Sequence, residues 1–151
     1  MTIETPVGPL HASFNTAGAL TELKFGSSGD HSNGAGNPVL ARQLSEYFEG
    51  KRTTFDLPLD PDGTPFQKRV WAELTRIPFG ETISYRELAR RVGSDGAARA
   101  VGRANSTNPI AIVVPCHRVI GADGSLTGYA YGVEMKRSLL DFERGQARLV
   151  A

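Results

Sequence analysis

The spacing of apolar residues changes character along the chain. Residues 5–13 and 19–26 alternate as short strands do, and "NTAG" between them offers Gly18 as a turn residue, which predicts a β-hairpin. The stretch "SSGDHSNGAGN" (27–37) is small and polar and predicts a loop. From Pro38 the period becomes helical, with Leu40, Leu44, Tyr47 and Phe48 on one face and Gly50 as the stop. "FDLPLDPDG" (55–63) reads as a strand or linker and marks a boundary between domains 1–60 and 61–151.

Helical signals dominate beyond that boundary. Thr64, Pro65 and Gln67 form a capping box ahead of Phe66, Val70, Trp71 and Leu74, predicting a helix of some twelve residues that runs to Arg76. Ser84 and Glu87 repeat the box, and Tyr85, Leu88, Ala89 and Val92 supply the stripe of a second helix ended by Gly93. After the turn "GSDG" a third helix is expected over Ala97 to Ala104, which makes a helix-turn-helix pair. "IAIVV" (110–114) suits a buried strand that Pro115 terminates. A last helix places Lys136, Leu140 and Glu143 on one face. The fold class is therefore α+β: a small N-terminal α/β domain of hairpin or sheet plus helix, then a mainly helical C-terminal domain holding the helix-turn-helix and the one cysteine.

Composition narrows the setting. The chain has 151 residues, net charge +1, one cysteine and three scattered histidines, so neither an internal disulfide nor a thiolate zinc site is available. No cofactor or metal is expected. There is no apolar run near the roughly 20 residues that span a bilayer, and "MTIETPVGPL" has no signal-peptide character. A soluble, cytoplasmic protein is expected. Residues 1–60 hold four Lys/Arg against seven Asp/Glu, and residues 61–151 hold thirteen against nine, so the second half is the candidate for a polyanion partner.

Two features carry candidate chemistry. Cys116 closes an apolar run, as an inert core thiol would, but His117 and Arg118 beside it are the company of an activated nucleophile. In the third helix, Ala97, Ala98, Ala100, Gly102 and Ala104 are small while Arg99 and Arg103 lie four apart. Close helix packing explains the small residues; the arginines suit phosphate contact or insertion into a base stack.

The chain resembles the O6-alkylguanine-DNA alkyltransferases, also called methylated-DNA–protein-cysteine methyltransferases. The resemblance runs through "TPVGPL", "YFEGKRTTFDLPLD", "GTPFQKRVWAELTRIPFGETISYRELA", "AARAVGRANSTNPIAIVVPCHRVIGADGSLTGY" and "KRSLLDFE". It implies single-turnover repair of duplex DNA, with the damaged guanine flipped out through the minor groove and its O6 alkyl group moved to Cys116; O4-alkylthymine is a second implied substrate. It further implies that His117 takes the thiol proton through a water and that Glu143 orients the imidazole. Tyr85 would contact the base and crowd its phosphate, Lys136 would sit near the departing oxygen, and Val119 would read the base through its carbonyl. Asn108 would link the recognition helix to the cysteine turn, with Tyr129, Ala130 and Tyr131 lining the base pocket. Ser94, Ala98, Arg99, Gly102 and Arg103 would meet DNA, with Arg99 filling the gap left by the flipped base. No membrane or obligate protein partner is implied, though several molecules binding side by side on DNA are.

Two points depart from the family pattern. After "TGY" a loop of small residues is usual, whereas this chain reads Ala130-Tyr131-Gly132, and the cysteines of a zinc-binding N-terminal domain are missing. Two other readings compete: a non-catalytic DNA-binding module, and a cysteine hydrolase using Cys116, His117 and Glu143. The intact "PCHR" argues against the first, and Arg99 with its basic helix has no use in the second.

Overall fold

In the computed structural model, which describes residues 1–26, 37–94 and 96–145, the chain divides into two units. One comprises Met1–Asp62 together with Pro109–Val113; the other comprises Gly63–Asn108 and resumes at Val114. The expected loop at 27–37 lies outside the described residues apart from Asn37. Among the described residues no helix is long and apolar enough to cross a membrane.

The first unit is built on an antiparallel sheet of β1 (Thr2–Ile3), β2 (Leu10–Phe14) and β3 (Leu20–Phe25), in that order. Asn15 makes the turn between β2 and β3: its side-chain oxygen accepts from the amides of Ala17 and Ala19, and Gly18 takes the left-handed φ of +85°. The first expected strand starts late. Residues 5–8 form a turn in which Thr5 Oγ1 donates to the Gly8 carbonyl at 2.6 Å and accepts from Val7 N, so a side chain has taken the place of a ladder partner. Helix α1 (Pro38–Phe48) starts on an Asn37 cap and buries Leu40, Gln43, Leu44 and Tyr47. Gln43 clamps the later chain through both backbone groups of Asp56, at 2.9 Å each. Residues 55–60 then lie along β3 with a single bridge from Leu20 to Leu59.

"IAIVV" is not a strand. Only Ile110 bridges, parallel to Leu23; the chain then turns through 111–113, with Ile112 at φ +69°. A fully buried apolar run has no polar phase to distinguish strand from turn, so its pattern fitted both.

The second unit holds α2 (Pro65–Leu74), α3 (Tyr85–Arg91), α4 (Ala98–Ser106) and α5 (Val133–Glu143), with a two-residue parallel ladder between β4 (Ile83–Ser84) and β5 (Val119–Ile120). The Thr64–Gln67 capping box is complete; α2 ends at Leu74, two residues before the expected Arg76. Ser84 caps α3 through Glu87 N, but the Glu87 side chain does not complete a box, because Arg90 and Arg91 both donate to it. The third expected helix is shifted slightly forward, with Ala97 as its cap and Ser106 as its last residue. Trp71 joins α2 to α4: its indole N–H donates 2.8 Å to the Ala104 carbonyl, and its ring covers Gly63, where a Cβ would sit 2.6 Å from it.

Candidate active site

Cys116 opens a short 3-10 turn, Cys116–Arg118, set by Pro115 at its N-terminus. A 3-10 turn places adjacent side chains a third of a revolution apart, unlike the opposite faces of a strand. Two asparagines hold this turn from the α4 side. Asn105 donates to the Cys116 carbonyl at 3.3 Å, and Asn108 donates to the Val114 carbonyl at 2.8 Å. The thiol is 5% exposed. Burial pushes it up to about 11, although the Asn108 amide and the Lys136 charge pull it down. At neutral pH it therefore keeps its proton until a base removes it.

His117 is fully buried and its Nε2 lies 2.8 Å from Glu143 Oε2. Burial lowers its pKa against the opposing pull of Glu143, while Nδ1 has no protein partner among the described residues. Burial alone would raise the Glu143 carboxyl, but His117 and Arg118 more than offset it and hold it well below the usual carboxylate range. Arg118 Nε and Nη2 reach the two Glu143 oxygens at 2.8 and 2.9 Å, and Nη1 donates to the Ile77 carbonyl at 2.7 Å.

A second cluster adjoins the thiol. The Tyr85 hydroxyl and Lys136 Nζ both donate to the Thr127 carbonyl, at 2.9 and 2.8 Å, and Nζ lies 3.4 Å from that hydroxyl and 5.6 Å from the Tyr85 ring centre. Lys136 is wholly buried, which lowers its ammonium to about 8 despite the attraction of Cys116. Burial, and then the proximity of Cys116, raise the phenols of both Tyr85 and Tyr129. The Tyr129 hydroxyl is buried with no partner among the described residues, and its ring meets Tyr131 edge-on at 5.6 Å. Val119 is buried on β5, with its amide on the Cys116 carbonyl, while Ala130 is exposed.

The structure thus gathers Cys116, His117, Glu143, Tyr85, Lys136, Asn108 and Tyr129. Apart from Tyr85, which belongs to this group, the candidate DNA residues lie on α4 and the turn before it, with Gly102 against the Tyr85 ring. The Ser94 amide donates back to the Ala89 carbonyl on α3 and its own carbonyl accepts from the Ala97 amide; Ala98 and Gly102 are half-buried, and Arg99 and Arg103 are exposed. A Cβ on Gly102 would lie 3.8 Å from the Tyr85 ring, so a glycine there lets α4 approach the tyrosine.

Two participants escape a reading of the sequence. Asn105 had a signal, since it is a polar residue on the buried Val101–Ala104 stripe, and the Thr127 carbonyl had none. Arg118 was read as a cation beside the thiol, but its pairing with Glu143 and Ile77 was not, because those partners lie far along the chain. No group of three or more His, Cys, Asp or Glu among the described residues is disposed to hold a metal ion.

Comparison with known proteins gives this geometry its context. Residues 1–61 match the model of the 6-O-methylguanine DNA methyltransferase ribonuclease-like domain, and residues 65–145 match that of the 6-O-methylguanine DNA methyltransferase DNA-binding domain. The methylated-DNA–protein-cysteine methyltransferase of Mycobacterium tuberculosis is 50% identical over 97% of this chain and 92% of its own. That of Methanosarcina barkeri is 47% identical over 97% of each. The crystal structure of M. tuberculosis OGT in complex with DNA is 48% identical, with a TM-score of 0.86 over 97% of this chain and 92% of that one.

Proposed function

The chain belongs to the family of methylated-DNA–protein-cysteine methyltransferases, and on that premise we propose that it repairs O6-alkylguanine in duplex DNA by moving the alkyl group, once, to Cys116. The observation that carries this reading is the buried thiol whose neighbour His117 is bonded to Glu143 through one ring nitrogen, with the other unpartnered among the described residues. Such a pair is a nucleophile with a base and an orienting group.

The thiol proton passes to His117 Nδ1 through a bridging water. As that proton departs, a sulfur lone pair forms a C–S bond while the alkyl C–O bond breaks and guanine leaves with the electron pair. Because the thiol sits at about 11, proton removal and attack are coupled rather than sequential. Developing charge on the base is met by the Lys136 ammonium and the Tyr85 hydroxyl, already held together over Thr127. The departing guanine anion takes up a proton from the Lys136 ammonium, so the other product is neutral guanine, while the proton taken from the thiol remains on His117. The thioether on Cys116 is not hydrolysed by water, so each molecule acts once.

Base flipping through the minor groove is supported by the basic face of α4. Exposed Arg99 is placed to stack into the gap, while Ser94, Ala98, Gly102 and Arg103 line the approach to the duplex. The Val119 carbonyl and Tyr129, Ala130 and Tyr131 form the base pocket, which admits O4-alkylthymine as a smaller substrate. Tyr131, packed on Tyr129, narrows that pocket against bulky O6 groups. A lone thiol suits the reducing cytoplasm, and a net charge of only +1 suits side-by-side binding of several molecules on one duplex.

Incubation with a duplex containing O6-methylguanine, followed by intact-mass measurement, tests the reading. A gain of one methylene that disappears in Cys116→Ser is expected; binding with no mass change would reject alkyl transfer.

A further inference from the structure

Glu143 sits between two residues adjacent in sequence, and its second partner has no place in the chemistry above. Arg118 is 5% exposed, and three of its guanidinium nitrogens are engaged, two on Glu143 and one on the Ile77 carbonyl. Its charge also lies 5.8 Å from the Phe79 ring, which is braced edge-on by Phe142. The side chain is therefore locked at both ends of its planar fork.

What this does follows from proton counting. An ionised carboxylate has no hydrogen to share, so where it lies 2.8 Å from His117 Nε2 the ring must supply the proton there. Nδ1 then keeps its lone pair. A neutral carboxyl could instead donate to Nε2, which would move the ring proton to Nδ1 and leave no base facing the rest of the site. Burial favours that neutral acid; a fixed positive charge prevents it.

We propose that Arg118 is a positioning residue that sets the His117 tautomer, holding Glu143 ionised and aligned so that the ring proton stays on Nε2 and Nδ1 remains a base. Glu143 and Lys136 reach His117 from α5, with Arg118 beside it. Tyr85 from α3 and Tyr129 from the preceding loop bear on the thiol, while α2 contributes apolar Val70, Trp71 and Leu74 to the core. Among these only Arg118 holds both carboxylate oxygens. Alkyl transfer gives this tautomer its use, so the inference rests on that reading, but the test observes the ring itself.

The test is nitrogen-15 NMR of the His117 ring in the full chain, for wild type and two variants. Arg118→Gln keeps a hydrogen-bond donor without charge; Arg118→Lys keeps the charge without the fork. The wild type and the Lys variant are expected to carry the proton on Nε2, and the Gln variant to carry it on Nδ1. An Nε2 proton in the Gln variant, or its loss in both, would overturn the proposal. Should the variants not fold, carbon-13 shifts of the wild-type Glu143 carboxyl serve instead: ionisation persisting from pH 7 to pH 4 is expected, and protonation above pH 6 is the contrary result. Single-turnover repair by the Gln variant should fall about 100-fold, the lower end of what a positioned base supplies, and the Lys variant should retain more. A wild type inactive on O6-methylguanine would sink the alkyl-transfer reading while leaving the tautomer result standing.

Discussion

Replacing Lys136 by methionine should make the protein more stable and far less active. The lysine exposes none of its surface, and burial takes its ammonium from 10.5 to about 8. That depression amounts to about 3 kcal/mol against the charged side chain. Methionine keeps the length of the stem and removes the charge, and the Thr127 carbonyl keeps the Tyr85 hydroxyl as a donor at 2.9 Å. After allowance for the lost charged hydrogen bond, a gain of about 2 kcal/mol in urea-unfolding free energy is expected at pH 7. The pH dependence has a definite sign. Between about 8 and 10.5 the unfolded chain binds more protons at this lysine than the native one, so wild-type stability rises through that window and the advantage of the variant shrinks. Single-turnover methyl transfer should fall about 100-fold or more, as when one donor to a developing anion is removed. A variant less stable than wild type at pH 7, or a stability difference that stays flat up to pH 10.5, would refute the argument from desolvation; an unchanged transfer rate would refute the role given to the ammonium.

Cys116 gives the opposite linkage. Its native value of about 11 exceeds the ordinary 9.0, so the native state holds a proton that the unfolded chain has lost; relative to Cys116→Ser, wild type should lose about 3 kcal/mol between pH 9 and 11, and parallel unfolding curves for the two would contradict the buried thiol. Arg99→Ala should repair duplex DNA poorly yet react with free O6-alkylguanine base nearly as well as wild type, because the free base needs no flipping. Equal losses on both substrates in a single-turnover assay would remove the case for an inserted arginine.

Local chemistry was the most legible part of this chain. The Thr64 box, the Gly18 turn after β2 and the glycine stops rest on residues a few positions apart, and each forms as expected. Ser84 shows where local reading ends: Glu87 had the spacing to return to its cap, but two arginines on the next turn compete for the same carboxylate. "IAIVV" failed for a different reason, since complete burial erases the periodicity that tells strand from turn. In the candidate site, Cys116, His117 and Glu143 came from a motif and a helical face. Arg118 stood beside them in the sequence, yet its function lies in partners 25 and 41 positions away, Glu143 and Ile77. Long-range electrostatic pairing of this kind leaves no periodic trace.

The segment Pro109–Val113 has a consequence for the order in which the molecule is made. It belongs to the unit formed by Met1–Asp62, where the Leu23 amide donates to the Pro109 carbonyl and the Ala111 amide donates to the Leu23 carbonyl, each at 2.8 Å. On the ribosome, the first 62 residues therefore emerge without a piece of their own unit. At about 5 to 20 residues per second, synthesis from Asp62 to Val113 takes about 3 to 10 s, during which the outer edge of β3 is covered by residues 55–60 at Leu20 but waits uncovered at Leu23. A fragment cut at Asp62 would wait indefinitely, so the N-terminal unit is not separable from the chain that follows, even though its family match ends at residue 61.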